Sequence, residues 1–180
     1  QLQPEDRVAV FSYDGKEEAL QQGIAKIKFV LDVHLGTLAR SLRMLGFDTV
    51  YNNALTDKAI VIQAQTEQRI VLTRDVNLLK NKAIPVGYLL RSQQTEEQLA
   101  EVIRRFRLLQ QIQPFTRCLV CNGKIRRVSK DAVLDQLPPK TKLYFQEFYQ
   151  CENCHRVYWK GSHYERMMGL VKRIASDQDE

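Results

Sequence analysis

Apolar positions in the first two thirds of the chain fall into short runs that alternate with stretches of helical spacing. Residues 27–31 form such a run and end at Asp32, which predicts a strand. Over 34–45, Leu35, Leu38, Ala39, Leu42 and Leu45 recur at helical spacing, with Gly46 placed as the stop. Residues 47–51 read as a second strand. Thr56 is placed to cap a helix running to about 67. Ile70, Val71 and Leu72 mark a third strand over 69–73, which ends at Arg74 and Asp75. Residues 84–90 give a fourth. Thr95 and Gln98 have capping-box spacing for a helix to about 111, with Leu99, Val102, Ile103, Phe106 and Leu109 on its apolar face.

Strands alternating with helices predict an α/β domain over 26–113, with a mainly parallel sheet sandwiched by helices. Pro114 marks a boundary. Residues 114–168 hold short β-prone pieces, turn signals and all four cysteines, and read as a small β-rich module. Residues 169–180 read as a helix end and an acidic tail. Before the α/β domain, residues 8–11 read as one more strand, too small to fold alone; residues 1–25 are either an arm or the end of a preceding domain. The chain opens on Gln1, so an upstream segment, a targeting peptide included, is allowed for.

The 180 residues suit one modest core plus a small module. The apolar share of 44% and charged share of 27% are ordinary for a globular protein. No apolar run approaches the roughly 20 residues that span a bilayer, so no membrane partner is expected. No secretory signal pattern is visible, and the expected location is intracellular: the cytoplasm, or an organelle if a leader precedes Gln1. The formal charge of +6 leans toward polyanions. Residues 114–168 carry 10 Lys/Arg against 5 Asp/Glu, whereas residues 1–113 carry 15 against 13. The cysteine segment is therefore the basic one, as a plain solvated surface or as a grip on nucleic acid.

Cys118-x-x-Cys121 and Cys151-x-x-Cys154 each offer two thiolates across one tight turn. Two such pairs make a closed tetrahedral zinc site, which stabilises a fold and leaves no position for water. Asn122 and Gly123 are residues tolerant of the positive φ that a metal knuckle needs. His155 is not required as a ligand. A redox role would place a single pair at a strand-to-helix junction, and neither pair has that context. Trp159, Lys160 and His163 follow the second pair among further aromatics; they either stack bases and contact phosphate or pack the module.

Asp32 and Asp75 stand just beyond two strand ends, where ligands of parallel sheets bind. Asp57 stands at a helix start that could face the same edge. Three converging carboxylates need a divalent cation such as Mg²⁺ or Mn²⁺ between them. Otherwise Asp57 is only a helix-start charge and Asp75 only a turn cap.

Residues 26–168 resemble the PIN-like ribonuclease domain family named after the C-terminal part of mut-seven exonuclease proteins. The matching pieces are Lys28 to Asp32, Leu35 to Thr49, Val71 to Asp75, Arg117 to Gly123 and Tyr158 to His163. The resemblance implies a PIN fold with a zinc ribbon, structural zinc, and Mg²⁺- or Mn²⁺-dependent hydrolysis of RNA, with tRNA and other structured RNA as candidate substrates. It carries Asp32 and Asp75 over as metal-binding acids. At Asp57 the family has a run of acids, and this chain has Asp57-Lys58-Ala59; where the family often has another acid, this chain has Asn77. Arg40, Arg43 and Arg74 are expected near the acids, on phosphates or in ion pairs. Segment 2–11 resembles the end of a ubiquitin-like β-grasp domain. The alternatives to a ribonuclease are a non-catalytic RNA-binding adaptor and a partner-recruiting scaffold. Zinc removal is expected to weaken the ribbon and RNA binding while leaving the acids in place.

Overall fold

In a computed structural model, residues 27–176 are described. The expected strand at 8–11 and the β-grasp-like segment 2–11 lie outside them. The chain divides into two compact units, which among the described residues are 27–36 with 51–91, and 37–50 with 92–176. The expected boundary at Pro114 is not where the chain divides. Residues 37–50 and 92–113 belong to the unit that also carries the cysteines.

In the first unit, β1 (Lys28–Leu31), β3 (Ile70–Thr73) and β4 (Gly87–Leu89) are parallel, with β3 between the others. Phe29, Val30 and Leu31 stand opposite Ile70, Val71 and Leu72. All four residues of β3 are buried. This is the continuous apolar run expected of a parallel strand covered on both faces. Two helices pack on these strands: α2 (Asp57–Thr66) against β1 and β3, and α3 (Val76–Leu79) against β3 and β4. Thr56 caps α2 as expected, its hydroxyl accepting from the Ala59 amide at 3.3 Å. Phe29, Leu31, Ile60 and Leu72 are fully enclosed. Each contributes about 1.5–3 kcal/mol by leaving water. The strand expected over 84–90 is shorter, because residues 84–86 form the turn into β4.

The second unit contains α1 (Gly36–Met44) apart from its first residue, β2 (Asp48–Val50), α4 (Thr95–Arg105), a three-stranded antiparallel sheet and the long helix α7 (Ser162–Ser176). Gly46 ends α1 at φ +97°, a value only glycine adopts without strain, and its α-carbon lies against the Gln113 carbonyl. A side chain there would collide with that backbone. The expected capping box on α4 does not form. Gln94 is the N-cap without a side-chain bond, and Gln98 instead donates to the Ser92 carbonyl at 3.0 Å. The helix stops at Arg105, short of the expected 111, with Arg107 at φ 50°. α4 packs on α7.

The antiparallel sheet runs β5 (Ile125–Val128), β6 (Phe148–Cys151), β7 (Val157–Tyr158), in that order. Between β5 and β6 lie two short helices, α5 (Lys130–Val133) and α6 (Pro139–Tyr144). This part of the expected β-rich module is therefore helical. The insertion gives the ribbon a small core of its own: Val133, Leu137 and Phe148, with Phe145, Val157 and Trp159 packed against them. No helix among the described residues is long and apolar enough to cross a membrane.

Candidate metal sites and aromatic cavity

The carboxyl ends of β1 and β3 are adjacent in register, which brings Asp32 and Thr73 together. Asp32 is 5% exposed and accepts hydrogen bonds from three donors. The His34 amide donates to Oδ1 at 2.9 Å, the Arg74 amide to Oδ2 at 3.3 Å, and the Thr73 hydroxyl also to Oδ2. The Thr73 oxygen in turn accepts the Asp75 amide at 2.9 Å. One hydroxyl thus ties the first acid to the backbone of the second. Asp75 is exposed and caps α3, its Oδ1 accepting from the Asn77 amide at 2.7 Å. Thr73 carries no charge to draw notice in the sequence; its position at a strand end, two residues before an acid, was the available signal.

The other expected members of this site are placed differently. Asp57 is exposed in the first turn of α2. Asn77 is exposed, and its Oδ1 accepts from Lys80 Nζ at 3.1 Å. Among the described residues, the cysteines are the set of three or more metal-capable side chains gathered within ligating distance. Asp32, Asp57 and Asp75 are not gathered in that way. The donors at Asp32 and Asp75 are carboxylate oxygens, which suit a hard divalent ion. Arg74 and Arg40 are exposed.

The four sulfurs of Cys118, Cys121, Cys151 and Cys154 lie within 4.8 Å of one another. Cys118 Sγ lies 3.5 Å from Cys154 Sγ and Cys121 Sγ lies 3.4 Å from Cys151 Sγ, far beyond a disulfide bond. A zinc ion with four sulfurs at about 2.3 Å needs them about 3.8 Å apart, so the cluster could hold a metal such as zinc. The two knuckles repeat the same geometry. Asn122 (φ 62°) and His155 (φ 58°) each follow the second cysteine of a pair. Their amides return to the carbonyls of Cys118 (3.0 Å) and Cys151 (3.1 Å). His155 thus serves by its backbone, and Gly123 serves by leaving room: a β-carbon there would meet the Asn153 amide and the Cys121 sulfur. Tyr158 places its hydroxyl 3.0 Å from Cys118 Sγ. Burial and that sulfur hold the phenol proton on, so Tyr158 stays a donor.

Arg43 is not where a phosphate contact would be. It is 4% exposed, with Nε donating to the Thr49 carbonyl (2.9 Å) and NH1 to the carbonyls of Leu119 and Val120 (3.0 Å each). Its place four residues beyond buried Ala39 turns it inward, where the carbonyls of the first knuckle engage its NH1. The same knuckle is fastened to β2 by Asn122, which accepts the Thr49 amide (3.0 Å) and donates to Asp48 (2.8 Å). Arg117 adds a bond to Asp48 at 3.0 Å.

Trp159 packs near Phe145, with ring centres 6.3 Å apart, and its indole also lines a cavity. His163 lines the same cavity from the first turn of α7. Lys160 is exposed and bonds Glu147 at 3.0 Å. That bond lowers the Glu147 carboxyl below its ordinary range and raises the Lys160 ammonium.

Two outcomes follow. In the metal-free chain, burial pushes the Cys121 thiol up to about 12 and raises that of Cys154. At Cys118 burial also raises it, but bonds from the Cys121 amide and the Tyr158 hydroxyl outweigh this and bring it to about 6. Cys121 and Cys154 must therefore lose protons when metal binds, and acid competes with metal. Zinc affinity, read by competition with a chromogenic chelator, is expected to fall at least about a hundredfold per pH unit on acidification, because binding displaces at least the protons of Cys121 and Cys154; a flat profile contradicts this. Second, Arg43→Met leaves its carbonyls without a donor and should cost about 2–4 kcal/mol in urea unfolding. A loss under about 0.5 kcal/mol would show that the clamp is idle.

Searches of curated proteins and of solved structures return no match. A family model described as the Mut7-C RNAse domain matches residues 27–171, most of the chain and both units. With its strand-end acids and its four-cysteine cluster, the chain belongs to the Mut7-C RNAse domain family.

Proposed function

We propose that this chain is a ribonuclease that hydrolyses RNA phosphodiester bonds at the carboxyl ends of β1 and β3, using Mg²⁺ or Mn²⁺ held by Asp32 and Asp75. Membership of an RNase domain family supports the reaction class. The observation that carries the site is Thr73, whose hydroxyl joins Asp32 to the Asp75 amide and fixes two acids on adjacent parallel strands. Bound there, the divalent ion would lower the pKa of a water and stabilise charge on the phosphodiester. The chain's own part is positional. Three donors leave Asp32 little freedom, and the cap bond to Asn77 orients Asp75. Asp57 and Asn77 are further oxygen donors of the right type, and Asn77 would first have to give up Lys80. Exposed Arg40 and Arg74 are offered as phosphate contacts, and Trp159, Lys160 and His163 as RNA contacts on the ribbon. Zinc on the four thiolates would be structural, since a closed site has no room for a reacting water. The PIN-like architecture belongs to the same reading.

The dispersal of Asp57 and the Lys80 bond to Asn77 favour a second reading, an RNA-binding adaptor on a degenerate nuclease fold. Cleavage of a total-RNA pool with Mn²⁺ separates the two. Asp32→Asn and Asp75→Asn should each lower cleavage at least about a hundredfold and leave RNA binding nearly unchanged. Thr73→Val, which keeps the shape and loses the bridge, should lower it about tenfold. Wild-type rates in both aspartate variants would refute the acid mechanism. No turnover by the parent chain with any divalent ion would favour the adaptor.

A further inference from the structure

The cavity in the second unit has a volume of about 310 Å³ and lies between the ribbon sheet and the first turn of α7. That is the size of a small-ligand site, with room for one base and its ribose and not for a duplex. Its wall is unusually aromatic: Phe115, Tyr158, Trp159 and Tyr164 all contribute. Phe115 is held at φ 60°, a conformation that costs a bulky residue about 1–3 kcal/mol. Its ring stacks on Tyr149 at 4.6 Å and meets Tyr164 at 5.0 Å. The strain is thus borne where a ring is delivered to the wall. Tyr158 spends its hydroxyl on Cys118, so it offers the cavity ring surface. Polar groups stand among the rings, Ser162 and His163 on α7. Arg117 also lines it, and segment 114–168, which supplies most of the wall, carries twice as many Lys/Arg as Asp/Glu.

Flat aromatic walls, a few polar groups and a lining arginine in a basic segment suit a planar heterocycle on an anionic chain. We propose that this cavity takes one unpaired nucleobase of single-stranded RNA, stacked against Trp159. This rests on the reading of the chain as an RNA-acting protein and adds to it a site for a flipped or single-stranded base. The cavity is set by the ribbon and α7, so a substrate must present an unstacked base to fill it.

Trp159 is the only tryptophan in the sequence, so intrinsic fluorescence reports on the cavity directly. The full zinc-loaded chain is titrated, without added Mg²⁺ or Mn²⁺, with a labelled five-residue adenine ribo-oligonucleotide and with an abasic chain of the same length. Anisotropy of the label reads binding, and Trp159 emission reads the cavity. The proposal expects saturable quenching by the base-bearing chain at the binding midpoint, and little quenching by the abasic chain even when it is bound. It also expects Tyr164→Ala to weaken the base-bearing chain about tenfold and the abasic chain hardly at all, since stacking on one ring is worth about 1–3 kcal/mol. Binding and cleavage without quenching would overturn the cavity proposal and leave the nuclease reading standing. Base-dependent quenching in a chain that never cleaves would support the cavity and refute the nuclease. No binding of either oligonucleotide would overturn the cavity proposal together with the RNA reading it rests on.

Discussion

A buried guanidinium holds the second unit together. Arg43 is removed from water, and its charge is answered by the carbonyls of Thr49, Leu119 and Val120. Burying such a group is costly, and the cost is met only while the first knuckle keeps its shape. That shape depends on Cys118 and Cys121 being drawn to one point with Cys151 and Cys154. The four-cysteine cluster and the turn between α1 and β2 are therefore one mechanical object. Asn122 strengthens the join, since its backbone closes the knuckle at φ 62° while its side chain holds the Thr49 amide and Asp48.

A division of labour follows from which side chains each unit contains. Carboxylates at strand ends belong to the first unit, where the Thr73 hydroxyl links Asp32 to the Asp75 amide. Thiolates, aromatic rings and most of the excess positive charge belong to the second. A closed sulfur site has no chemistry to offer a phosphodiester, and an acid pair has little to offer a base. Substrate grip and bond cleavage would then depend on different residues and could be lost separately. The insertion with α5 and α6 fits this picture. It supplies the core of Val133, Leu137 and Phe148 that keeps Trp159 in place, which a ribbon of three short strands could not do alone.

Much of this was readable in the residue pattern, for reasons that also explain what was not. The runs at β1 and β3 are continuous because parallel strands are covered on both faces, so they stand out. Gly46 and Thr56 mark helix ends by chemistry that is local, and both act as expected. The doubled cysteine pair specifies its own geometry. Arg43 lies inward, against expectation, because spacing does not say which flank of an apolar face turns inward, although it stands four residues after buried Ala39. Thr95 failed as a cap because Ser92 already accepts the Gln94 amide and its carbonyl takes Gln98. α5 and α6 are too short for a helical period to register. The convergence of three acids depends on how loops fold, and the pattern carries no measure of that. The positive φ of Phe115 leaves no mark in the pattern, since no glycine or asparagine stands there.

The first cysteine knuckle and the α1–β2 turn form one cooperative structure. The Thr49 amide reports on this most directly, because it bonds Asn122 Oδ1 at 3.0 Å while Thr49 itself lies outside the ribbon. Its hydrogen exchange can be followed by NMR as zinc is withdrawn by a chelator, with the Leu72 amide of β3 as an internal reference. The account predicts that Thr49 loses protection together with the ribbon amides of Cys118 and Ile125, while Leu72 keeps its own. Protection retained at Thr49 after the ribbon amides have opened would contradict it.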